Sequence, residues 1–169
     1  MERTKFRKLL FKVAFCTMAC DGHIDAREIN EVKLMDKKAS FFDAIDLSAE
    51  LSLLIVEFKT KGTKVIEELF QTLKSNKLNT IQELLILEVA LRIINADEKH
   101  DENEIKFIQF LRSKLELHDE TIIDRFGELD ILHTNEYTRN VMKKGMASQF
   151  ASSVALPELK ELEDIVLTE

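Results

Sequence analysis

The 169-residue sequence contains no tryptophan, one tyrosine, one proline and only four glycines. Proline and glycine mark the frequent tight turns of all-β sandwiches and barrels, so their scarcity argues against those folds. Strict alternation of apolar and polar residues, which is typical of half-buried strands, is also hard to find. Residues that favour helices dominate instead. The composition therefore predicts an all-α fold.

Long apolar runs and a basic face are missing as well. No stretch reaches the ~20 apolar residues that a bilayer-spanning helix needs, so we predict no transmembrane segment. The formal net charge of −7 disfavours nucleic acid as a partner, because binding phosphates needs clustered basic residues. With 45% hydrophobic and 33% charged residues, the composition is that of a globular protein. We predict one domain over residues 1–169.

The two cysteines, Cys16 and Cys20, lie four residues apart among apolar neighbours. This favours reduced thiols in a core and a cytoplasmic location. Two alternatives remain. Basic residues before Leu9–Cys20 also fit a signal peptide, and the two cysteines with His23 could supply three zinc ligands. The internal repeat described below argues against cleavage, because cleavage would remove a helix whose counterpart is retained.

A helical hairpin is predicted around residues 19–29. The preceding segment, Leu9–Ala19, is almost wholly apolar and indicates a buried helix. Gly22 ends that helix, because glycine adopts positive φ without a Cβ clash. Asp25 and Glu28 have the spacing of a capping box, which predicts that a second helix begins at Asp25.

Three further helices are predicted between this hairpin and residue 95. Ser48 is the expected N-cap of the third helix, and Gly62 is expected to end it. Thr63 is expected to cap the fourth helix. Thr80 and Glu83 have capping-box spacing, so we predict that the fifth helix begins at Thr80 and, like the first, is buried on most sides.

The hairpin pattern then recurs at an offset of 76 residues. Asp101 and Glu104 repeat the capping spacing of Asp25 and Glu28. The equivalent residues of the two segments include Val13 with Val89, Ala14 with Ala90, Asp21 with Asp97, Asp25 with Asp101, Glu28 with Glu104 and Ile29 with Ile105. We therefore predict a compact bundle of seven or more helices, with two pseudo-symmetric hairpins and with helices one and five at its centre.

These two segments resemble the TerB-like domains, which are associated with bacterial tellurite resistance and also occur at the N-terminus of the DnaJ-type co-chaperone DjlA. The matching residues are Met18–Ile24 followed by Glu28, and Ile94–Asp97 followed by Glu104. The resemblance covers residues 5–117. Residues 118–169 then form a helical extension outside it, which either packs on the domain or docks on a partner.

The resemblance implies an all-helical, cytoplasmic bacterial protein and no established catalytic activity, so we predict that the chain is not an enzyme. It also implies a role in stress response or a peripheral link to membrane-associated assemblies, and a metal-binding role for the loop acids. Two positions depart from the family pattern, since Cys20 replaces a small residue and Glu98 replaces the second glycine. The protein partner is not indicated.

The candidate site consists of the acidic residues of the two corners: Asp21, Asp25, Glu28, Asp97, Asp101 and Glu104. Capping explains four of them. Asp21 and Asp97 instead end helices, where a carboxylate is unfavourable unless it bonds turn amides or a cation. This motivates a hypothesis of a weak divalent-cation or basic-partner site. If helices one and five are parallel, the six acids converge; if antiparallel, they form two sites.

Two other functions remain open at the level of the sequence. A small hydrolase or ligand-binding domain would show a deep cleft with strongly perturbed acids. A structural protein would dimerise through the phenylalanine-rich middle of the chain or through the C-terminal helix, in which Pro157 is predicted to occupy the first turn. Another helix is predicted before it, over residues 134–150.

Overall fold

The computed structural model describes residues 1–132 and 146–167, and no β-strand occurs in those two ranges. The all-α class with seven or more helices is confirmed. In the described part of the chain, no helix is long and apolar enough to cross a membrane. The helices are α1 Arg3–Ala19, α2 Ala26–Ala39, α3 Leu47–Lys61, α4 Lys64–Ser75, α5 Thr80–Ala96, α6 Glu102–Ser113, α7 Asp119–Phe126, a 3₁₀ helix Asp130–Leu132, α8 Ala147–Ser153 and α9 Leu159–Glu163.

Helices α1 and α5 pack against each other at the centre of the fold, as predicted. From Leu9 to Ala19, every side chain of α1 except that of Lys12 is buried. In α5 the run from Ile86 to Ile94 is buried except for Arg92. Helices that are apolar on most sides need neighbours on most sides. The remaining helices provide them, with α2 and α6 on α5, and α3, α4 and α6 on α1.

The phenylalanine-rich middle of the chain contributes to this core. The rings of Phe11 and Phe42 meet edge to face, with centroids 5.6 Å apart. Phe15 contacts Phe58 with centroids 5.2 Å apart. Such pairs add to the stability that comes from burying the rings. Since these rings are buried in their own chain, they do not form an exposed surface for dimerisation.

Two predicted N-caps lie at other residues in the structure, and a third lacks its capping bond. The N-cap of α3 is Asp46, whose carboxylate accepts from the Ala49 amide, so the assignment of Ser48 is wrong. Thr63 occupies the N-cap position of α4 but makes no side-chain capping bond. The capping box of α5 begins one residue earlier than predicted, at Asn79. At α3 and α5, more than one neighbouring residue suited the cap, Asp46 or Ser48 in the first and Asn79 or Thr80 in the second.

The assignment of Asn79, and not Thr80, as the N-cap of α5 can be tested by substitution. Asn79 Oδ1 accepts from the Gln82 amide at 2.8 Å, and Gln82 Oε1 accepts from the Asn79 amide at 3.0 Å. We expect Asn79→Ala to lower the free energy of unfolding by about 1 kcal/mol, because the Gln82 amide loses its acceptor. Thr80→Ala is the matched control and should change stability little. Urea unfolding measures both, and equal losses would contradict the assignment.

The C-terminal extension packs on the globule. Phe150 of α8 stacks on Phe110 of α6 with ring centroids 5.2 Å apart. Helix α9 lies against α3, and its Leu162 is buried in the same hydrophobic cluster as α1. The helix predicted over 134–150 lies largely outside the described residues. Pro157 precedes α9, whose N-cap is Glu158, so the prediction that it occupies the first turn is wrong.

Candidate functional site

The corner of each helical hairpin contains an aspartate whose carboxylate accepts a hydrogen bond from a nearby backbone amide. In the first corner, residues 20–25, Asp21 Oδ1 accepts from the His23 amide at 3.0 Å. In the second corner, residues 97–101, Asp97 Oδ1 accepts from the Lys99 amide at 2.7 Å. These are Asx turns, in which the side chain replaces a backbone acceptor. The two carboxylates that capping does not explain are therefore bonded to turn amides.

The two capping boxes are confirmed. In the first, the Asp25 amide donates to Glu28 Oε1 at 3.0 Å, and the Asp25 carboxylate accepts from the start of α2. In the second, the Asp101 amide donates to Glu104 Oε1 at 3.3 Å, and the Asp101 carboxylate accepts from the start of α6. Each glutamate thus uses one oxygen to satisfy a backbone amide of its own corner.

The acids of the two corners lie close enough to repel one another. Burial raises the pKa of Asp21, and repulsion from Asp101 of the second corner adds to the rise. Burial likewise raises the pKa of Glu104, and Asp21 contributes more to this than Asp97 or Asp101 does. The ends of α1 and α5 therefore lie on the same side of the fold. We call Asp21, Asp25, Glu28, Asp97, Asp101 and Glu104 the two-corner cluster.

Glu28 is the most perturbed carboxylate of the two-corner cluster. Its side chain lies between α2 and the core, and the residue is only 3% exposed. Burial, followed by repulsion from Asp21 and Glu104, raises the pKa of Glu28 to about 9. Its Oε2 atom is buried and has no hydrogen-bond partner among the described residues. Such an atom costs free energy, because nothing replaces the water that it has lost.

Glu104 occupies the equivalent place on α6 and is also 3% exposed. Burial and neighbouring carboxylates raise its pKa to about 7. The Cys20 thiol lies nearby, and burial followed by Glu104, Asp21 and Glu28 raises its pKa well above the ordinary thiol range. At neutral pH the buried Glu28 carboxyl and the Cys20 thiol therefore hold their protons, and Glu104 is near the midpoint of its titration.

Arg27 brings a positive charge to the rim of the cluster. Its guanidinium donates to both carboxylate oxygens of Asp25, at 3.1 Å each. This ion pair lowers the pKa of Asp25. Asp97 and Glu98 of the second corner also raise the pKa of Arg27, so this exposed cation faces both corners. Its guanidinium pairs with Asp25, and no ion pair to Glu28 or Glu104 occurs among the described residues.

The two corners differ in what covers them. The Ile24 amide of the first corner donates to Glu161 Oε1 of α9 at 2.7 Å. Gly22 has φ +86°, and a Cβ there would lie 2.9 Å from the backbone oxygen of Ala155. The C-terminal segment therefore lies on the first corner. Sequence analysis missed these contacts because they join residues more than 130 positions apart.

The zinc alternative is not supported by the placement of its residues. Cys16 and Cys20 are both buried, and Cys20 Sγ donates to the Thr17 carbonyl at 3.1 Å. Burial raises the pKa of Cys16 to about 12, whereas a zinc ligand must be a thiolate. His23 is exposed. Within residues 1–132 and 146–167, no group of three or more His, Cys, Asp or Glu side chains is arranged to hold a metal ion.

The two most strongly perturbed acids of the two-corner cluster, Glu28 and Glu104, do not line a cleft of the kind that the hydrolase alternative requires, although Glu83, whose pKa burial raises, lines the largest of the cavities described next. Three cavities of the described structure have volumes of about 490, 420 and 170 Å³. Neither Glu28 nor Glu104 lines any of the three. The second cavity is lined by an ion-pair network in which Glu88 bonds both Arg92 and Arg125. Such a network is sufficiently explained as a link between α5 and α7.

Comparison with known proteins adds no family assignment: no family model, no curated protein and no solved structure matches this chain.

Proposed function

We propose that this chain is a non-catalytic helical binding module built on two pseudo-symmetric, TerB-like hairpins, and that the two-corner cluster takes up a divalent cation. The observation that carries this proposal is the buried Oε2 of Glu28, which lies near Glu104 and Asp21 and has no hydrogen-bond partner in residues 1–132 and 146–167. A cation would supply that partner and would relieve the repulsion between the two hairpins. Carboxylate oxygens are the ligands that Ca²⁺, Mg²⁺ and Mn²⁺ prefer.

The repeated local geometry supports the pseudo-symmetric part of the proposal. Both corners combine an Asx turn with a capping box, and both place a buried glutamate at the third position of the second helix. A role in bacterial stress response, through tellurite resistance or a chaperone-linked assembly, rests on the resemblance of these segments to TerB-like domains. Cation uptake by the two-corner cluster gives that role a chemical basis.

The structure also bears on the strength of binding. The carboxylates are not arranged ready to hold an ion, so a cation has to draw Glu28 and Glu104 together and displace the Glu28 proton. Both steps cost free energy, and weak binding follows. Because the cation competes with a proton, binding should tighten as pH rises from about 7 to about 9.

Isothermal titration calorimetry with Ca²⁺, Mg²⁺, Mn²⁺ and Zn²⁺ tests the proposal. We expect at least one ion to bind the wild type, with proton release visible as a dependence of the heat on the buffer. Glu28→Gln keeps the capping acceptor but loses the charge, and it should weaken binding about tenfold or more. The double variant Asp21→Asn with Asp97→Asn should weaken it similarly.

Asp46→Asn is the matched control. Asp46 caps α3 in the same way as Asp25 caps α2 but lies outside the cluster. Asparagine caps about as well as aspartate, so this variant should bind cations as the wild type does. Absence of heat for all four ions, or heat that Glu28→Gln and the double variant leave unchanged, would show that the six acids serve only as caps and turn formers.

A further inference from the structure

Two cavities lie on another part of the fold, next to α4 and α6. The larger has a volume of about 490 Å³ and is lined by the ends of α4 and α6 together with the connection from α4 to α5. The smaller, about 170 Å³, is lined by α4 and by residues Ala147 and Ser148 of α8. Lys74 and Lys114 line both cavities. Neither cavity includes a residue of the two-corner cluster.

Three lysines line the larger cavity: Lys74, Lys77 and Lys114. Within the described residues, none of their ammonium groups has an ion pair or a hydrogen bond. By contrast, Lys61 at the end of α3 pairs with Glu68 at 3.1 Å. Several other lysines of the described residues, such as Lys59 and Lys64, also show no ion pair, so these three are distinguished by lining one cavity together.

Lys74 and Lys114 also repel each other. Lys114 is half-buried, and burial followed by the charge of Lys74 lowers its pKa. Each lysine lies at the C-terminal end of its helix, where the helix dipole favours one cation. The helix dipole favours each lysine at the end of its own helix, but it does not explain why Lys74 and Lys114 line the same cavity. An anion between them would convert the repulsion into two attractions.

The remaining walls indicate what else the cavity accepts. Leu73 and Leu115 are buried side chains, and Leu78 packs against the core beside them. Glu83 and Glu116 also line the cavity, and burial followed by the charge of Glu116 raises the pKa of Glu83. Glu83 Oε2 accepts from the Glu116 amide at 2.6 Å. One of its carboxylate oxygens is thereby engaged within the protein. The volume falls in the range of small-molecule sites.

We propose that the larger cavity binds a small organic anion, whose phosphate or carboxylate head group lies between Lys74 and Lys114. The body of the ligand contacts the apolar wall formed by Leu73, Leu78 and Leu115. The site is independent of cation uptake, so this proposal stands or fails separately from the function proposed above.

Titration followed by ¹⁵N–¹H NMR tests the site. The probes are glucose 6-phosphate, inorganic phosphate, citrate and, as the neutral control, glucose. We expect glucose 6-phosphate or citrate to shift the Leu78 and Leu115 amides in a saturable way, and glucose to leave them unchanged. A response to inorganic phosphate assigns the head group to the phosphate class, and a response to citrate alone assigns it to carboxylates.

Lys114→Gln should weaken binding of the responding anion about tenfold or more, and Lys114→Arg should restore most of it. Lys64→Gln is the matched control, because Lys64 is exposed on the same helix as Lys74 and lines neither cavity. Unchanged far-ultraviolet circular dichroism confirms that the variants are folded. The proposal is overturned if no anion shifts these amides, or if Lys114→Gln and Lys64→Gln bind equally well.

Discussion

Gly22→Ala is expected to lower the free energy of unfolding by about 3 kcal/mol. The residue has φ +86°, a conformation that alanine adopts only with strain, and the new Cβ would lie 2.9 Å from the backbone oxygen of Ala155. A backbone atom cannot move aside as the end of a flexible side chain does. The C-terminal segment therefore has to shift, and the bond from the Ile24 amide to Glu161 weakens with it.

Gly127→Ala is the matched control for this prediction. Gly127 has a similar φ of +79°, but a Cβ there would have no neighbour within 4 Å. Gly127→Ala should therefore lose only the stability that backbone strain costs, because it does not displace the C-terminal segment. Chemical denaturation measures the decrease in the free energy of unfolding for both variants. Hydrogen exchange of the Ile24 amide shows whether its bond to Glu161 of the C-terminal segment is kept. A Gly22→Ala variant that loses no more stability than Gly127→Ala, and that still protects Ile24, would contradict the contact.

The features that sequence analysis predicted correctly are local ones. Asp25 with Glu28 and Asp101 with Glu104 are capping boxes because the atoms that bond lie three residues apart, so spacing alone determines the geometry. Gly22 has the positive φ expected of it, +86°, although α1 itself ends at Ala19 and has Cys20 as its C-cap. The apolar character of α1 and α5 around most of their surface predicted their central position, since no other arrangement buries them.

Sequence analysis missed two kinds of feature. One depends on which of two neighbouring residues caps a helix, and the other depends on contacts between residues that lie far apart in the chain. Asn79 and Thr80 are both good caps, and a shift of one residue exchanges them without disturbing the apolar pattern. The contact of Glu161 with Ile24 depends on how the extension folds back. The convergence of Glu28 and Glu104 depends on the relative direction of α1 and α5, which periodicity does not encode.

The second large effect concerns pH and the buried glutamate of the first corner. Glu28 has its pKa raised from 4.5 to about 9 by burial, so the folded protein binds this proton more tightly than the unfolded chain does. Between about pH 4.5 and about pH 9 the native state therefore holds more protons, and the free energy of unfolding falls as pH rises. Below about pH 4.5 Glu28 is protonated in both the folded and the unfolded state, so it costs no stability. Above about pH 9 it is charged in both states, and the full cost of burying that charge lowers the free energy of unfolding.

Glu28→Gln is expected to remove this part of the pH dependence. Glutamine resembles the protonated carboxyl and keeps an oxygen for the Asp25 amide, so the variant should match the wild type near pH 5. Near pH 9 it should be more stable by about 2 kcal/mol or more, since one unit of pKa shift corresponds to about 1.4 kcal/mol. Urea unfolding at about pH 5, 7 and 9 measures the difference.

Two companion variants separate the buried charge from capping. Glu104→Gln should give a smaller gain, because the pKa of Glu104 is raised only to about 7. Since the two glutamates repel each other, the double variant should gain less than the sum of the single ones. Asp46→Asn changes another capping carboxylate outside the cluster and should leave the pH dependence as it is. If Glu28→Gln is no more stable than the wild type near pH 9, Glu28 does not carry the buried, unpaired charge assigned to it.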